Sequence, residues 1–391
     1  MVQVVLLTGP GSYVHLLQAI LAQQKRLHTV FEYYPSWALV QPLTGRKYGL
    51  WGYKSFIKAL WAVGRRLPYY RRYNPHRYWE YQLYDFVCRL HLPKGVPILW
   101  AWSQTSLYTM KEARKRGMKV LLELPASHPT VWEETVQKAY AAFASARTGY
   151  AFYLPAHRRR IEEELEVADR IHVLSSFVQL QLLRQGIPAE KVRLLPLGVD
   201  ARHFSPPAEP PPSRPFRFLY VGRLEPLKGV HLLLEAFHRL RWPKESAELW
   251  LAGPIVEEME PVLRRYADHF VYKGTWERAY LPELYRQAHA FVFPTLLDSF
   301  GLVLLEAMAC GLPVIATSHS AAPDLVTEGK DGYVVPPFSV EALMEAMEKL
   351  YRMPLEERLA MGYAARQKVE SAWTLTHYAE RIAAYLAEYE L

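Results

Sequence analysis

The sequence AFVFPTLLDSFGLVLLEAMACGLP at residues 290–313 predicts three structural elements in succession. Residues 290–294 form a short apolar run that ends in proline, as expected for a buried parallel strand. Residues 295–301 combine an acid, a hydroxyl and a glycine, which is typical of a loop. The apolar, alanine-rich residues 302–310 predict a helix, and the Gly-Leu-Pro that follows ends it.

A loop that leads into a helix N-terminus is a candidate anion site, because free backbone N–H groups and the positive end of the helix dipole face it. Two carboxylates frame this site, Asp298 in the loop and Glu306 in the second turn of the helix. Carboxylates are poor phosphate ligands, but they accept hydrogen bonds from hydroxyl groups. A site that holds both phosphate and hydroxyl groups suggests a nucleotide-sugar. The alternative is an ordinary βα unit with incidental acids.

A second candidate phosphate element lies upstream, at residues 216–229, FRFLYVGRLEPLKG. Residues 216–221 predict a strand and 222–229 a loop, in which Gly222 precedes two cations, Arg223 and Lys228. A nucleoside diphosphate that leaves a sugar gains charge on the departing oxygen, and an Arg–Lys pair beside a helix N-terminus can neutralise it. We see no carboxylate grouping that marks a metal site, so these cations are expected to replace a metal. The alternative is two solvated charges on a surface turn.

These motifs resemble a known enzyme family. An acid at Asp298, seven intervening residues and Glu306, followed by AMACGLPVIAT, is similar to the signature of retaining glycosyltransferases of family 4, which have the GT-B fold of two Rossmann-like domains facing across a cleft. The family pattern usually begins with Glu, whereas this chain has the shorter Asp298. The resemblance extends from about residue 168 to residue 373 and is loose over the first 160 residues.

The resemblance implies roles for particular residues. Arg223 and Lys228 are expected to hold the donor diphosphate, Glu306 the ribose hydroxyls, and Asp298 the donor sugar. The catalytic candidates are Arg223, Lys228, Asp298 and His128. The donor-binding candidates are Gly11, Gly222, Arg223, Lys228, Lys273, Gly274, Ser299, Phe300, Gly301, Leu302 and Glu306. Lys273 and Gly274 belong to a loop that lies beside the nucleotide base in the family.

The first half of the chain contributes two loop residues to this set. Gly11 lies in a turn between a predicted strand, residues 2–7, and a helix, where glycine lets backbone approach a ligand; a turn without a ligand is equally compatible. His128 follows a predicted strand at residues 119–124, and loops after parallel strands line the ligand edge of an open sheet. The alternative for His128 is a cap of the next helix.

Residues 44–79 contain nine Lys or Arg side chains, no acid and many aromatic residues. A basic, aromatic amphipathic helix can lie on an anionic membrane. It can also bind nucleic acid, which we expect less, or simply pack its aromatics inward and expose its cations to water.

Composition limits the remaining possibilities. The chain has 391 residues, enough for two domains, and a net charge of +8 that favours an anionic partner. Cys88 and Cys310 are interpreted as buried free thiols in a reducing compartment, and no Cys/His spacing predicts a zinc site. The N-terminus lacks the features of a signal peptide and no apolar run is long enough to cross a bilayer, so we expect a cytoplasmic protein, peripheral at the inner face of the membrane if residues 44–79 touch it.

The sequence therefore predicts an α/β protein of GT-B fold. Its domains are residues 1–204, a Pro-rich linker at 205–215, residues 216–372, and a last helix at 373–391 that packs back on the first domain. The expected activity is metal-independent, retaining transfer of a sugar from a UDP- or GDP-sugar to a glycan or lipid-linked acceptor, with no cofactor. The alternatives are a nucleotide-sugar 2-epimerase of the same fold and a non-enzymatic nucleic-acid-binding protein. The base, the sugar and the acceptor stay open.

Overall fold

A computed structural model describes residues 2–7, 17, 20–21, 23–31, 39–40, 48–49, 75–141, 143 and 154–389. Within these residues, two parallel six-stranded sheets follow one another along the chain, with helices connecting their strands. The predicted α/β class is confirmed. Gly11 and most of residues 44–79 lie outside the described residues.

The first half of the chain contains one six-stranded sheet and a separate pair of short strands. Its described strands are β1 (Val4–Leu7), β2 (Leu27–Phe31), β3 (Leu39–Val40), β4 (Tyr48–Gly49), β5 (Ile98–Trp102), β6 (Lys119–Glu123), β7 (Arg170–Val173) and β8 (Val192–Leu194). The sheet order is β2-β1-β5-β6-β7-β8, whereas β3 and β4 pair separately. The described helices are α1 (Pro75–Leu90), α2 (Leu107–Lys115), α3 (Pro129–Tyr140), α4 (Pro155–Val167) and α5 (Ser176–Arg184).

The second half forms the other sheet. Its strands are β9 (Phe216–Val221), β10 (Ala247–Ala252), β11 (Val271–Tyr272), β12 (Ala290–Phe293), β13 (Val314–Thr317) and β14 (Gly332–Val335). Its helices are α6 (Val230–Leu240), α7 (Glu260–Arg265), α8 (Leu281–Arg286), α9 (Leu302–Ala309), α10 (Ala322–Leu325), α11 (Val340–Arg352), α12 (Leu355–Ala372) and α13 (Leu375–Ala387). The order β11-β10-β9-β12-β13-β14 reverses direction between β9 and β12. Open parallel sheets bind ligands at such a reversal, outside the carboxyl ends of the strands.

Burial explains why the central strands are continuous apolar runs. Every residue of β12 and β13 is buried, because helices cover both faces of a parallel sheet. Cys88 and Cys310 are buried and unbridged, as predicted.

The last helix, α13, lies against the first sheet. Arg381 donates hydrogen bonds to the carbonyl oxygens of Pro196 and Leu197 at 3.1 and 3.3 Å. The Tyr385 ring packs edge-on against His172 of β7, with ring centroids 4.7 Å apart. The sequence analysis expects the last helix at this place; the residue limits assigned to the domains stay predictions. None of the described helices has the length and apolar character needed to cross a bilayer.

Candidate functional site

Two loops meet where the second sheet reverses its strand order. One follows β9 and leads into α6; the other follows β12 and leads into α9. Gly229, at the end of the first loop, has φ +68°, and a Cβ placed on it would collide with the carbonyl oxygen of Pro294 in the second loop. Glycine is therefore required here, because it alone permits both the backbone conformation and the close approach of the two loops.

An ion pair joins these loops. The Lys228 ammonium lies 2.6 Å from Oδ2 of Asp298. The other carboxylate oxygen, Oδ1, accepts a hydrogen bond from the backbone N–H of Phe300 at 2.9 Å. Both side chains of the pair are about one-fifth exposed, so a ligand in the crevice can reach them. The two sequence motifs thus form a single site.

The N-terminus of α9 opens into the same crevice. Gly301 is its N-cap residue, with φ +85°, and because glycine has no side chain the helix has no side-chain capping hydrogen bond. A Cβ at this position would lie 2.8 Å from the Phe293 ring, which also favours glycine. The first-turn N–H groups, beginning at Leu302, are therefore left to backbone and solvent partners, as at other helix termini that bind anions.

Arg223 is the most exposed charged candidate at the site. Its side chain is 53 % exposed, and its nearest carboxylate is that of Glu225, 3.6 Å away. The preceding Gly222 has φ +149°. The Tyr220 hydroxyl donates to the Arg223 carbonyl at 2.7 Å, which fixes the backbone from which the guanidinium extends.

Glu306 is almost completely buried. Only 2 % of it is exposed, and burial raises the pKa of its carboxyl group to about 7. Two contacts act against burial and lower this pKa. Arg278 pairs with Oε1 at 2.7 Å, and the Tyr285 hydroxyl donates to Oε2 at 3.2 Å. Sequence reasoning missed both partners, because no motif or spacing links residues 278 and 285 to the helix.

The loop expected beside the base is held against β10. The Lys273 ammonium lies over the Trp250 ring, 3.9 Å from its centroid, and the Lys273 backbone N–H donates to Leu251 at 2.8 Å. Gly274 has φ +78°, and its carbonyl accepts from Gly253 at 2.9 Å. The same loop continues to Arg278 and so borders Glu306.

His128 caps a helix, which is the alternative stated for it above. Its Nδ1 accepts a hydrogen bond from the backbone N–H of Thr130 at the start of α3. The backbone N–H of His128 donates to Oε1 of Gln181 in α5 at 3.2 Å. Burial lowers the pKa of the imidazole, so the neutral ring with its proton on Nε2 is favoured. The structure therefore gives His128 a local structural role beside any contact with a ligand.

The first domain contacts the signature loop directly. The Ser175 hydroxyl donates to the Ser299 carbonyl at 2.7 Å, and the Ser299 hydroxyl donates to the Pro125 carbonyl at 2.6 Å. Ser175 lies within the stretch that resembles the family, but the sequence analysis assigns it no role. Ser299 therefore has two partners in the first domain.

An apolar cluster lies next to these hydrogen bonds. Val136 and Ala139 of α3 are buried together with Leu227, the neighbour of Lys228, and with Leu296 and Leu297. The first domain thus packs against both loops of the site. Gly11, the remaining candidate, lies outside the described residues, and among the described residues no group of three or more His, Cys, Asp or Glu has the arrangement of a metal site.

Two solved structures resemble the whole chain. Sucrose-phosphate synthase from Thermosynechococcus elongatus has a TM-score of 0.69 and 20 % identity over 99 % of both chains. Anabaena Alr3699/HepE, solved in complex with UDP, has a TM-score of 0.65 and 15 % identity over 99 % of this chain and 100 % of that one. Together with the two parallel six-stranded sheets, these similarities define a protein of GT-B fold, as predicted.

The sequence comparisons agree. Residues 202–368 match the family model of glycosyl transferases group 1. A putative colanic acid biosynthesis glycosyltransferase, WcaL, from Escherichia coli K12 is 28 % identical over 49 % of each chain. A GDP-mannose-dependent alpha-(1-6)-phosphatidylinositol monomannoside mannosyltransferase from Mycobacterium tuberculosis is 28 % identical over 60 % of this chain and 65 % of its own. The matches to these two relatives span about half to just under two thirds of their length.

Proposed function

We propose that this protein is a retaining glycosyltransferase that moves a sugar from a nucleotide-sugar to an acceptor hydroxyl. The observation that carries the proposal is the Lys228–Asp298 pair at the N-terminus of α9, with the Glu306 carboxyl group further along the same helix. Cations and helix N–H groups suit a diphosphate, and carboxylates suit sugar hydroxyls. Relatives named as glycosyltransferases support the same class of reaction.

The leaving group determines what the cations do. When the bond between the anomeric carbon and the phosphate oxygen breaks, negative charge grows on the departing diphosphate. Lys228 and the exposed Arg223 are the side chains that stabilise it, and a fixed charge of this kind acts mainly on the transition state. Asp298, held to Lys228, then lies where the donor sugar meets its phosphate.

Glu306 is assigned to the ribose. Its carboxylate form accepts hydrogen bonds from two neighbouring hydroxyls, and Arg278 favours that form against the effect of burial. The donor is a UDP- or GDP-sugar. This proposal is supported by a relative named for GDP-mannose and by a structural neighbour that was solved with UDP. The acceptor is a glycan or a lipid-linked acceptor.

A panel of nucleotide-sugars tests this assignment. We expect release of nucleoside diphosphate from one UDP- or GDP-sugar, dependent on acceptor and nearly unchanged by EDTA, because cations take the place of a metal. Product analysis by NMR should give the donor's anomeric configuration. Turnover without acceptor to an epimerised donor would make the protein a 2-epimerase. Activity lost to EDTA and restored by Mg²⁺ would contradict the phosphate chemistry assigned to Arg223 and Lys228.

The first domain is proposed to contact an anionic membrane that carries the acceptor. Residues 44–79 supply the cations. Helix α1, which begins at the end of this stretch, adds a row of exposed apolar side chains. Trp79, Phe86 and Leu90 are 61, 49 and 61 % exposed at helical spacing on one face. Each Lys or Arg near an anionic surface contributes about 1 kcal/mol, and exposed aromatics suit the headgroup region.

Liposome co-sedimentation tests the membrane contact. Wild type should pellet with anionic vesicles at low salt, less with neutral vesicles, and less as salt is added. A variant with Lys54, Lys58, Arg65 and Arg66 changed to Glu should stay in solution, whereas a variant with the exposed Lys244 changed to Glu should still pellet. If wild type stays in solution with anionic vesicles, the proposed membrane contact is wrong. A soluble acceptor would then be the better proposal.

A further inference from the structure

A cavity separate from the crevice at Lys228 lies at the amino ends of the strands of the second sheet, whereas Lys228 lies at their carboxyl ends. It has a volume of about 290 Å³ and is formed where the Pro-rich segment at residues 206–211 crosses the amino ends of β12 and β13, with α12 as its other wall. Ligand pockets begin at about 300 Å³, so the cavity suits a small molecule. Nothing in the proposed transfer reaction uses it.

The cavity is held in shape by backbone contacts. The His289 ring joins both sides of the wall: its Nδ1 accepts from the Arg217 N–H and its Nε2 donates to the Pro212 carbonyl, each at 2.9 Å. At the other end Gly362 of α12 lies against the backbone of Gly311, and a side chain on Gly362 would collide with it. The space is therefore preformed.

Arg358 is a buried cation in this cavity. It is 7 % exposed, and within the described part of the chain it forms no ion pair. Its contacts are a long hydrogen bond to the Met353 carbonyl at 3.4 Å and the face of the Phe216 ring, 4.8 Å away. Burial and the neighbouring Arg214 lower the pKa of the guanidinium. A charge buried without an opposite charge is unfavourable, and an anion in the cavity would relieve it.

The other cations of the lining are already engaged. Arg286 donates to the Ser205 carbonyl and hydroxyl at 2.9 and 2.8 Å, and Arg366 donates to the carbonyls of Phe204 and Ala309 at 2.7 Å. The described lining contains three arginines and no carboxylate. Arg366 is also paired with Glu370 at 2.7 Å. Arg358, with one long hydrogen bond, is therefore the arginine of the lining with hydrogen-bonding capacity to spare.

The mouth of the cavity is apolar. Leu355, Leu359 and Tyr363 follow one another at four-residue spacing on α12 and are 46, 45 and 63 % exposed. They face the proline side chains of residues 206–211 across the opening. A buried positive charge behind an apolar mouth matches a molecule with an acid group at one end and a hydrocarbon or aromatic body at the other.

We propose that this cavity binds an amphipathic organic anion, with its carboxylate, sulfonate or phosphate at Arg358 and its apolar body along α12 and the prolines. The observation that carries it is the buried Arg358 without a carboxylate partner inside an apolar cavity. The site is separate from the crevice at Lys228 and stands whether or not the protein transfers sugars.

The probe is 8-anilinonaphthalene-1-sulfonate, an apolar sulfonate whose fluorescence rises in apolar surroundings. Wild type should bind it saturably at one site, and excess UDP should leave the signal unchanged. Decanoate and decyl phosphate should displace it, whereas the neutral decanol of equal chain length should not. Displacement by only one of the two acids would identify which headgroup the site takes, and displacement by UDP or equally by decanol would overturn the proposal.

Substitutions in and outside the cavity test whether the probe binds at Arg358. Arg358→Gln should weaken binding roughly tenfold to a hundredfold, the worth of a hydrogen bond to a charged group, whereas Arg352→Gln, at an exposed cation outside the cavity, should leave it unchanged. Because Arg358→Gln can disturb folding, the exposed Leu359 provides a second comparison. Leu359→Glu and Leu359→Lys lose the same apolar contact but differ in charge, so at low salt the Lys variant should bind about fivefold more tightly.

Equal binding by the two Leu359 variants would show that charge plays no part and would overturn the assignment. So would self-association of wild type that Leu359→Glu abolishes, because a second copy of the chain would then cover the mouth.

Discussion

The two sheets have comparable parallel architecture but place different chemistry at their carboxyl edges. In the second sheet, Gly229 and Gly301 bring two loops together and the Lys228–Asp298 pair lies in the crevice between them. In the first sheet, two described residues of this edge are engaged in protein contacts: His128 caps α3 and Ser175 donates to the Ser299 carbonyl. This difference fits our proposal that the second domain binds the charged donor, while the first domain contacts the loops of the site.

The largest expected effect comes from the second sheet. Lys228→Ala should lower kcat on the order of 10²-fold or more, with a smaller rise in KM, because leaving-group charge grows mainly in the transition state. Lys244→Ala, at an exposed lysine of the same domain, is the matched control and should behave as wild type. Steady-state kinetics decide the point, and a wild-type kcat for Lys228→Ala would remove the role proposed for it.

A smaller effect is expected from pH at Glu306. Folding raises the pKa of this carboxyl group to about 7. In the ribose-binding role that we propose, the ionised form is the better acceptor for two hydroxyl groups. Nucleotide affinity should therefore fall about tenfold as the pH is lowered from about 8 to about 6. Arg278→Gln removes the positive charge that lowers this pKa, so the midpoint should move to higher pH.

The control for this titration is Glu306→Gln, which lacks the ionising group and reports the titration of the nucleotide phosphate itself. Calorimetry across the pH range provides the affinities. A difference between wild type and Glu306→Gln that does not change with pH would contradict the assignment of the carboxylate.

The smallest effect is expected from the first sheet. Ser175→Ala removes the hydrogen bond to the Ser299 carbonyl, worth about 1 kcal/mol, so kcat/KM should fall roughly fivefold. Nucleotide affinity should stay near wild type, because the donor contacts proposed here lie in the second domain. The exposed Ser371→Ala is the control. If Ser175→Ala weakens nucleotide binding as much as transfer, the division between the two domains is wrong.

The sequence predicted the second domain well because its motifs are local. A strand, a glycine-bearing loop and a helix follow one another within residues 290–313, so short-range patterning and turn chemistry suffice to place Asp298 and Gly301. The meeting of Lys228 with Asp298 also follows, because loops after neighbouring parallel strands share one edge of the sheet.

The partners of the site residues could not be predicted in the same way. Arg278 pairs with Glu306 across 28 residues of sequence, and Ser175 reaches Ser299 across 124. Neither contact leaves a periodic pattern, because it depends on how loops pack after the sheets have formed. His128 shows the same limit: a loop histidine after a strand suits a ligand or a helix cap, and only the coordinates show that its Nδ1 accepts a hydrogen bond from the Thr130 N–H.

Calorimetric titration of UDP and GDP into wild type, Glu306→Gln and Asp298→Asn tests the central claim most directly, namely that one crevice of the second domain holds the nucleotide through Glu306 and the donor sugar through Asp298. The account predicts that one of the two nucleotides binds wild type, that Glu306→Gln binds it more weakly, and that Asp298→Asn binds it nearly as wild type does while transfer of sugar is impaired. Wild-type nucleotide affinity in both variants would contradict the assignment of Glu306 to the ribose.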